Sequence, residues 1–175
     1  GCYPYVIGGV SSWVHSLIEQ FPDVDFIIQT IIASRSQRGQ YVYPIPDNVS
    51  EIREIYLEDS DWIGTNKKPR SRRLKKKEYE ALRSLILGRN INWTEIFSLM
   101  SSPSLSLNSL LMGKDFLNAA MEFYRETYPN LIFSDFLWTL RSMYLPLFLC
   151  LKTPPPEADV FHCISTGYAG IYGAM

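Results

Sequence analysis

Two strings in this sequence combine glycine with hydroxyl, aromatic and imidazole side chains in patterns suited to anion and sugar chemistry. The first is Gly8-Gly9-Val10-Ser11-Ser12, running into Trp13-Val14-His15. Glycine admits close backbone approach, and the free N–H groups and dipole of a following helix attract an anion such as a diphosphate. A tight turn with no ligand explains the same glycines, and neither the G-x-G-x-x-G pattern nor a Walker lysine is present. The second string is His162-Cys163-Ile164-Ser165-Thr166-Gly167-Tyr168. It reads as the carboxyl end of a strand turning into a helix, the place where open α/β sheets bind ligands. His162, Ser165, Thr166 and the Gly167 N–H are its potential donors to a sugar hydroxyl or phosphate. A histidine tied to a backbone carbonyl beside a Ser/Thr helix cap fits equally well.

Other chemistries lack their residues. His15 and His162 have no partners at metal-ligand spacing, so no metal site is expected. No nucleophile elbow or Ser-His-Asp order occurs. Asp59-Ser60-Asp61 and Glu78-x-Glu80 read as solvated surface. Cys2, Cys150 and Cys163 form no C-x-x-C pair, and their apolar neighbourhoods suggest buried thiols of a reducing compartment.

These residues must be held by surrounding elements, and the hydrophobic spacing proposes them. Trp13, Val14, Leu17, Ile18 and Phe21 share one face of a helix. Residues 24–33 read as a central strand, and 40–46 and 51–58 as two more, the first nearer an edge because of its prolines. Helical spacing then recurs over 74–87, 93–100, 113–128 and 134–151, the last closed by Thr153-Pro154-Pro155-Pro156. A buried strand over 158–164 and a small-residue helix opening at Tyr168 follow. The expectation is an α/β domain in which a helical insertion at about 74–151 interrupts a sheet. The first helix lacks the strand that should precede it and the last is cut short, so both ends read as trimmed from a longer polypeptide.

Charge is unevenly placed. The chain holds 17 basic and 18 acidic residues in 175, for a net −1. Eight of the basic residues fall between Lys67 and Lys77, which leaves nine against 18 elsewhere. The acidic remainder argues against a nucleic-acid partner. The basic run suits either a solvated loop or contact with an anionic surface. Leu131 to Leu151 has the length of a membrane span, yet Asp135, Arg141 and Pro146 interrupt it and favour a buried helix. No secretory signal opens the chain.

The two glycine-bearing strings together resemble a known family. Gly1-x-Tyr3-Pro4-Tyr5-Val6-x-Gly8-Gly9-Val10-Ser11-Ser12-Trp13-Val14-His15 and Ala158-Asp159-Val160-Phe161-His162-x-x-Ser165-Thr166-Gly167-Tyr168-Ala169-Gly170 are similar to the amino-terminal domain of PelF-like glycosyltransferases, of the retaining GT-B group called family 4. Tyr43-x-Ile45-Pro46-x-Asn48-Val49 before Glu54-Ile55-Tyr56-Leu57 also resembles it, whereas the helical middle matches loosely. The resemblance implies a Rossmann-like three-layer sandwich forming the acceptor side of a two-domain hexosyltransferase. That enzyme would be cytoplasmic or peripheral to the inner membrane, and linked to exopolysaccharide biosynthesis. It would transfer a sugar from a UDP-sugar to a carbohydrate acceptor, with no cofactor or metal required. The resemblance places Gly8, Gly9 and Val10 over the donor diphosphate and His162 against the sugar or acceptor. Tyr3, Tyr5, Ser165, Thr166, Gly167 and Tyr168 would line the acceptor cleft. The nucleotide pocket and paired glutamates would belong to an absent carboxyl-terminal domain, leaving this domain inactive alone. A different expectation is a protein or membrane docking module of a polysaccharide-synthesis complex, acting through residues 67–77.

Overall fold

The structure, a computed structural model, describes residues 2–57, 73–164 and 167–175. It is a mixed α/β chain with a small parallel sheet and mostly helices. Two compact units divide it: residues 1–59 with 156–162, and residues 60–155 with 163–175.

The first unit holds α1 (Gly9–Gln20), β1 (Phe26–Ile32) and β2 (Val49–Tyr56). β1 is the Ile-rich run FIIQTII, whose branched side chains suit a pleated, half-buried surface. It pairs with β2 in parallel, Ile28 opposite Ile52 and Ile32 opposite Tyr56, with a register break between Phe26 and Ile27. Parallel strands need a crossover, and residues 33–48 supply it with a 3-10 turn at Arg35–Gln37. The prolines, Pro44 and Pro46, have no N–H to give a ladder, and residues 40–46 form no strand, contrary to the sequence expectation. Asn48 fastens the unit: its Nδ2 donates to the carbonyls of Ile18, Phe21 and Val24 at 3.1, 3.0 and 3.3 Å. The buried cluster is small, Tyr3, Val14 and Ile18, with Phe26, Ile28, Tyr43 and Val49 packed around it.

The two sides of β1 meet different partners. The Ile32 carbonyl accepts from the Leu57 N–H at 2.9 Å, so it faces β2. Successive carbonyls alternate along a strand, and that of Ile31 turns the other way, where the Cys2 thiol donates to it at 3.1 Å. Ile27 shares that outer edge, and no backbone group meets either residue among those described.

The second unit is helical: α2 (Lys76–Leu87), α3 (Trp93–Met100), α4 (Leu107–Leu111), α5 (Lys114–Thr127), α6 (Phe133–Lys152) and α7 (Tyr168–Gly173). Its core is one cluster drawn from α2 to α6, including the fully buried Leu82, Ile96, Leu111, Phe116 and Phe148. Each such side chain contributes about 2–3 kcal/mol by leaving water. The ends are set by local chemistry. Asn92 and Ser106 cap α3 and α4, accepting from the Glu95 and Ser109 N–H groups. Gly88, at φ 67°, closes α2 in the left-handed conformation. Lys152 and Tyr144 of α6 reach backbone carbonyls of Ser102 and Leu85 at 3.1 and 3.0 Å. Among the described residues no helix is long and apolar enough to cross a membrane.

The run expected as a strand over 158–164 is exposed and irregular, with Val160 81% accessible. Its apolar pattern resembles a strand, but a strand exists only where an edge takes its hydrogen bonds, and this segment has joined none. The cysteines divide as well. Cys150 is buried as expected, whereas Cys2 is half-buried and Cys163 exposed because its segment lies outside any packed layer.

Candidate functional site

The residues able to handle an anion and a sugar gather in the first unit, at the start of α1. Gly8 precedes the helix in an extended conformation, with φ 173° and ψ 168°. No side chain caps this end and no acidic residue lies in the first turn. The first amides of α1 therefore keep the partial positive charge that a helix N-terminus carries. A Cβ at Gly8 or Gly9 would meet nothing within 4 Å, so the glycines leave the backbone open. In the same turn the Ser11 hydroxyl is buried without a hydrogen-bond partner among the described residues.

One turn along, Trp13 stands 48% exposed, and its ring meets that of His162 edge-on at 5.7 Å between centroids. An indole plate, an exposed imidazole and an open helix N-terminus thus occur together in one unit. Such a set can bind an anion through backbone N–H groups, pack the C–H face of a sugar and exchange hydrogen bonds with its hydroxyls. Among the described residues no three His, Cys, Asp or Glu side chains converge as metal ligands would.

The sequence spacing put Trp13 on one helix face with Val14, Leu17, Ile18 and Phe21. The spacing 13, 14, 17, 18, 21 spans a wider arc than the helix buries; the covered positions are Ser11, Val14 and Ile18, while Trp13 and Phe21 face outward. Ser11 lies on the buried side with Val14 and Ile18, about 200° around the helix from Trp13.

Tyr3 and Tyr5 correct the expectation in the opposite sense. They are 5% and 6% exposed and offer no face to a carbohydrate. Aromatic rings bury large areas and their hydroxyls find partners. The Tyr3 hydroxyl meets His15 Nδ1 at 3.1 Å, and His15 Nε2 lies 3.5 Å from Glu19. The Tyr5 hydroxyl donates to Glu54 at 2.6 Å. Burial, with Glu19 and Tyr43 nearby, raises the pKa of Tyr3; burial and then the Glu54 contact raise that of Tyr5 well above an ordinary phenol. Both are neutral braces. Tyr43 completes the bracing, its ring 5.2 Å from His15 and its hydroxyl sharing a 3.0 Å hydrogen bond with Ser12.

Gly167 and Tyr168 lie in the helical unit. Gly167, at φ 79°, precedes α7, and Tyr168 is its first residue, 36% exposed. Ser165 and Thr166 fall outside the described residues, as does the basic run from Lys67 to Arg72. Arg73, Lys75, Lys76 and Lys77 are exposed at the entrance to α2.

No curated protein and no solved structure matches the chain. A family model does, over residues 1–175. The protein accordingly belongs to the family described as a domain of unknown function, DUF3492.

Proposed function

We propose that this domain is the acceptor-side, Rossmann-like half of a retaining glycosyltransferase that uses a UDP-sugar in exopolysaccharide biosynthesis. The observation that carries the reading is the uncapped, acid-free start of α1, opened by Gly8 and Gly9, with Trp13 and His162 beside it. A departing nucleoside diphosphate gains negative charge in the transition state, and pre-oriented N–H groups stabilise it there more than in the ground state. His162 would contact the transferred sugar or the acceptor. The reading assigns nucleotide binding to a second domain, so this chain alone turns over no substrate.

The test joins the domain to a nucleotide-sugar half in one polypeptide and assays transfer and hydrolysis of UDP-glucose and related donors. Gly9→Val should cut the transfer rate by roughly 10²-fold, the scale of losing one oxyanion donor, with donor affinity little changed. A new side chain at Gly9 meets open space, so the fold should survive. A joined protein that binds no nucleotide sugar would refute the assignment.

A second reading is a docking module, supported by Lys75, Lys76 and Lys77 at the start of α2. All three ammonium-bearing side chains are exposed, as contact with an anionic surface requires. Flotation with anionic vesicles at low and high salt measures this. If replacing all three lysines by glutamine leaves binding unchanged, the electrostatic version is wrong.

A further inference from the structure

The first turn of α1 carries four donors that meet no acceptor among the described residues. The Ser12 N–H opens the helical ladder by donating to the Gly8 carbonyl at 2.8 Å, which leaves the N–H groups of Gly9, Val10 and Ser11 ahead of it unpaired. The fourth donor is the Ser11 hydroxyl. Ser11 is 1% exposed, and its Oγ is sealed from solvent with nothing to bond. A buried hydroxyl without a partner is destabilising, and serine is a weaker helix former than alanine. On stability alone alanine is the better residue here, so the hydroxyl points to a use that folding does not supply.

Its placement names the kind of partner. Cα–Cβ bonds in a helix lean toward the N-terminus, so the Ser11 side chain leans toward the turn opened by Gly8 and Gly9. No Asp, Glu, Lys or Arg occurs in the sequence before Glu19. Within that stretch no carboxylate competes for the free N–H groups, and no ammonium or guanidinium stands in for them. A turn of this composition holds an oxyanion through N–H and O–H donors alone.

We infer that Ser11 is the side-chain donor of the α1 anion site: when a diphosphate arrives, its hydroxyl turns by one staggered rotamer, about 120°, and donates alongside the Gly9 and Val10 N–H groups. This rests on the reading of α1 as a phosphate site and adds to it a residue that the glycines alone do not name. Nitrogen-15 amide spectra of the 175-residue chain, titrated with inorganic pyrophosphate, test it. The Gly9, Val10 and Ser11 resonances should move. Ser11→Ala should weaken binding, read at Gly9 and Val10, by roughly tenfold or more, the scale of one hydrogen bond to a charged group. Ser11→Cys, close in shape but a weak donor, should bind as poorly. Without pyrophosphate, Ser11→Ala should melt above the wild type, because it removes an unpaired buried group. Equal binding by wild type and Ser11→Ala, or a lower melting temperature in the variant, overturns the role of Ser11 and leaves the α1 site standing. Shifts confined to Arg73, Lys75, Lys76 and Lys77, or none at Gly9 and Val10, overturn the α1 site and the role of Ser11 together.

Discussion

The buried Cys150 thiol is pushed up to about 11 from 9.0 by desolvation, whereas Cys163 stands in solvent. The folded chain therefore holds the Cys150 proton more tightly than the unfolded chain does. Its contribution to stability is fully present below pH 9.0 and is lost as the pH rises to about 11. Tyr3, Tyr5 and Tyr144, also raised by burial, act in the same sense at higher pH. The melting temperature should be level through neutral pH and fall in alkali, and Cys150→Ala should remove the earliest part of that fall. A disulfide reagent at pH 8 should label Cys163 at once and Cys150 only on unfolding, because the thiolate is the reactive form. At this scale the sequence was a partial guide. It marked Gly8, Gly9 and His162 by type and spacing, but residue type cannot tell an exposed ring from a buried one. Tyr3 and Tyr5, expected to line a cleft, are buried for that reason, while Trp13 stands exposed.

Among the elements, the junction of α4 and α5 depends on one glycine. A Cβ on Gly113 would come 2.6 Å from the Ser109 carbonyl oxygen and 3.2 Å from that of Leu110, both backbone atoms that cannot swing aside. Gly113→Ala should cost about 1–3 kcal/mol in urea unfolding, the range for forced overpacking. Gly8→Ala, facing open space, should stay within about 0.5 kcal/mol. The long helices were legible because a repeat near 3.6 accumulates over several turns; α2, α3, α5 and α6 start and stop within two residues of the expected places. α4 was not, since five residues make barely one turn and the Ser106 cap defines it. For strands, apolarity singled out β1 and β2, but it cannot name the neighbour that completes a ladder. Residues 40–46 and 158–164 have strand-like composition and remain irregular on that account.

For the whole molecule, the two units rest on different stabilising terms. The helical unit buries a broad apolar cluster, while the sheet unit has few buried side chains and relies on polar ties such as the three carbonyl contacts of Asn48. Amide exchange should be faster in β1 and β2 than in α2 and α5. Asn48→Ala should destabilise the sheet unit by about 0.5–1.5 kcal/mol, the net worth of a hydrogen bond at a part-exposed site, and should scarcely change exchange in the helical unit. The composition of β1 carries this contrast into the test tube. An apolar, Ile-rich segment in the less protected unit is a template for any extended segment once local opening frees it. At rising concentration or temperature the chain should assemble into thioflavin-positive fibrils that begin at FIIQTII. Ile27→Lys, a charge placed on that strand, should lengthen the lag before they appear, so local opening of the sheet unit would set the practical shelf life of the protein.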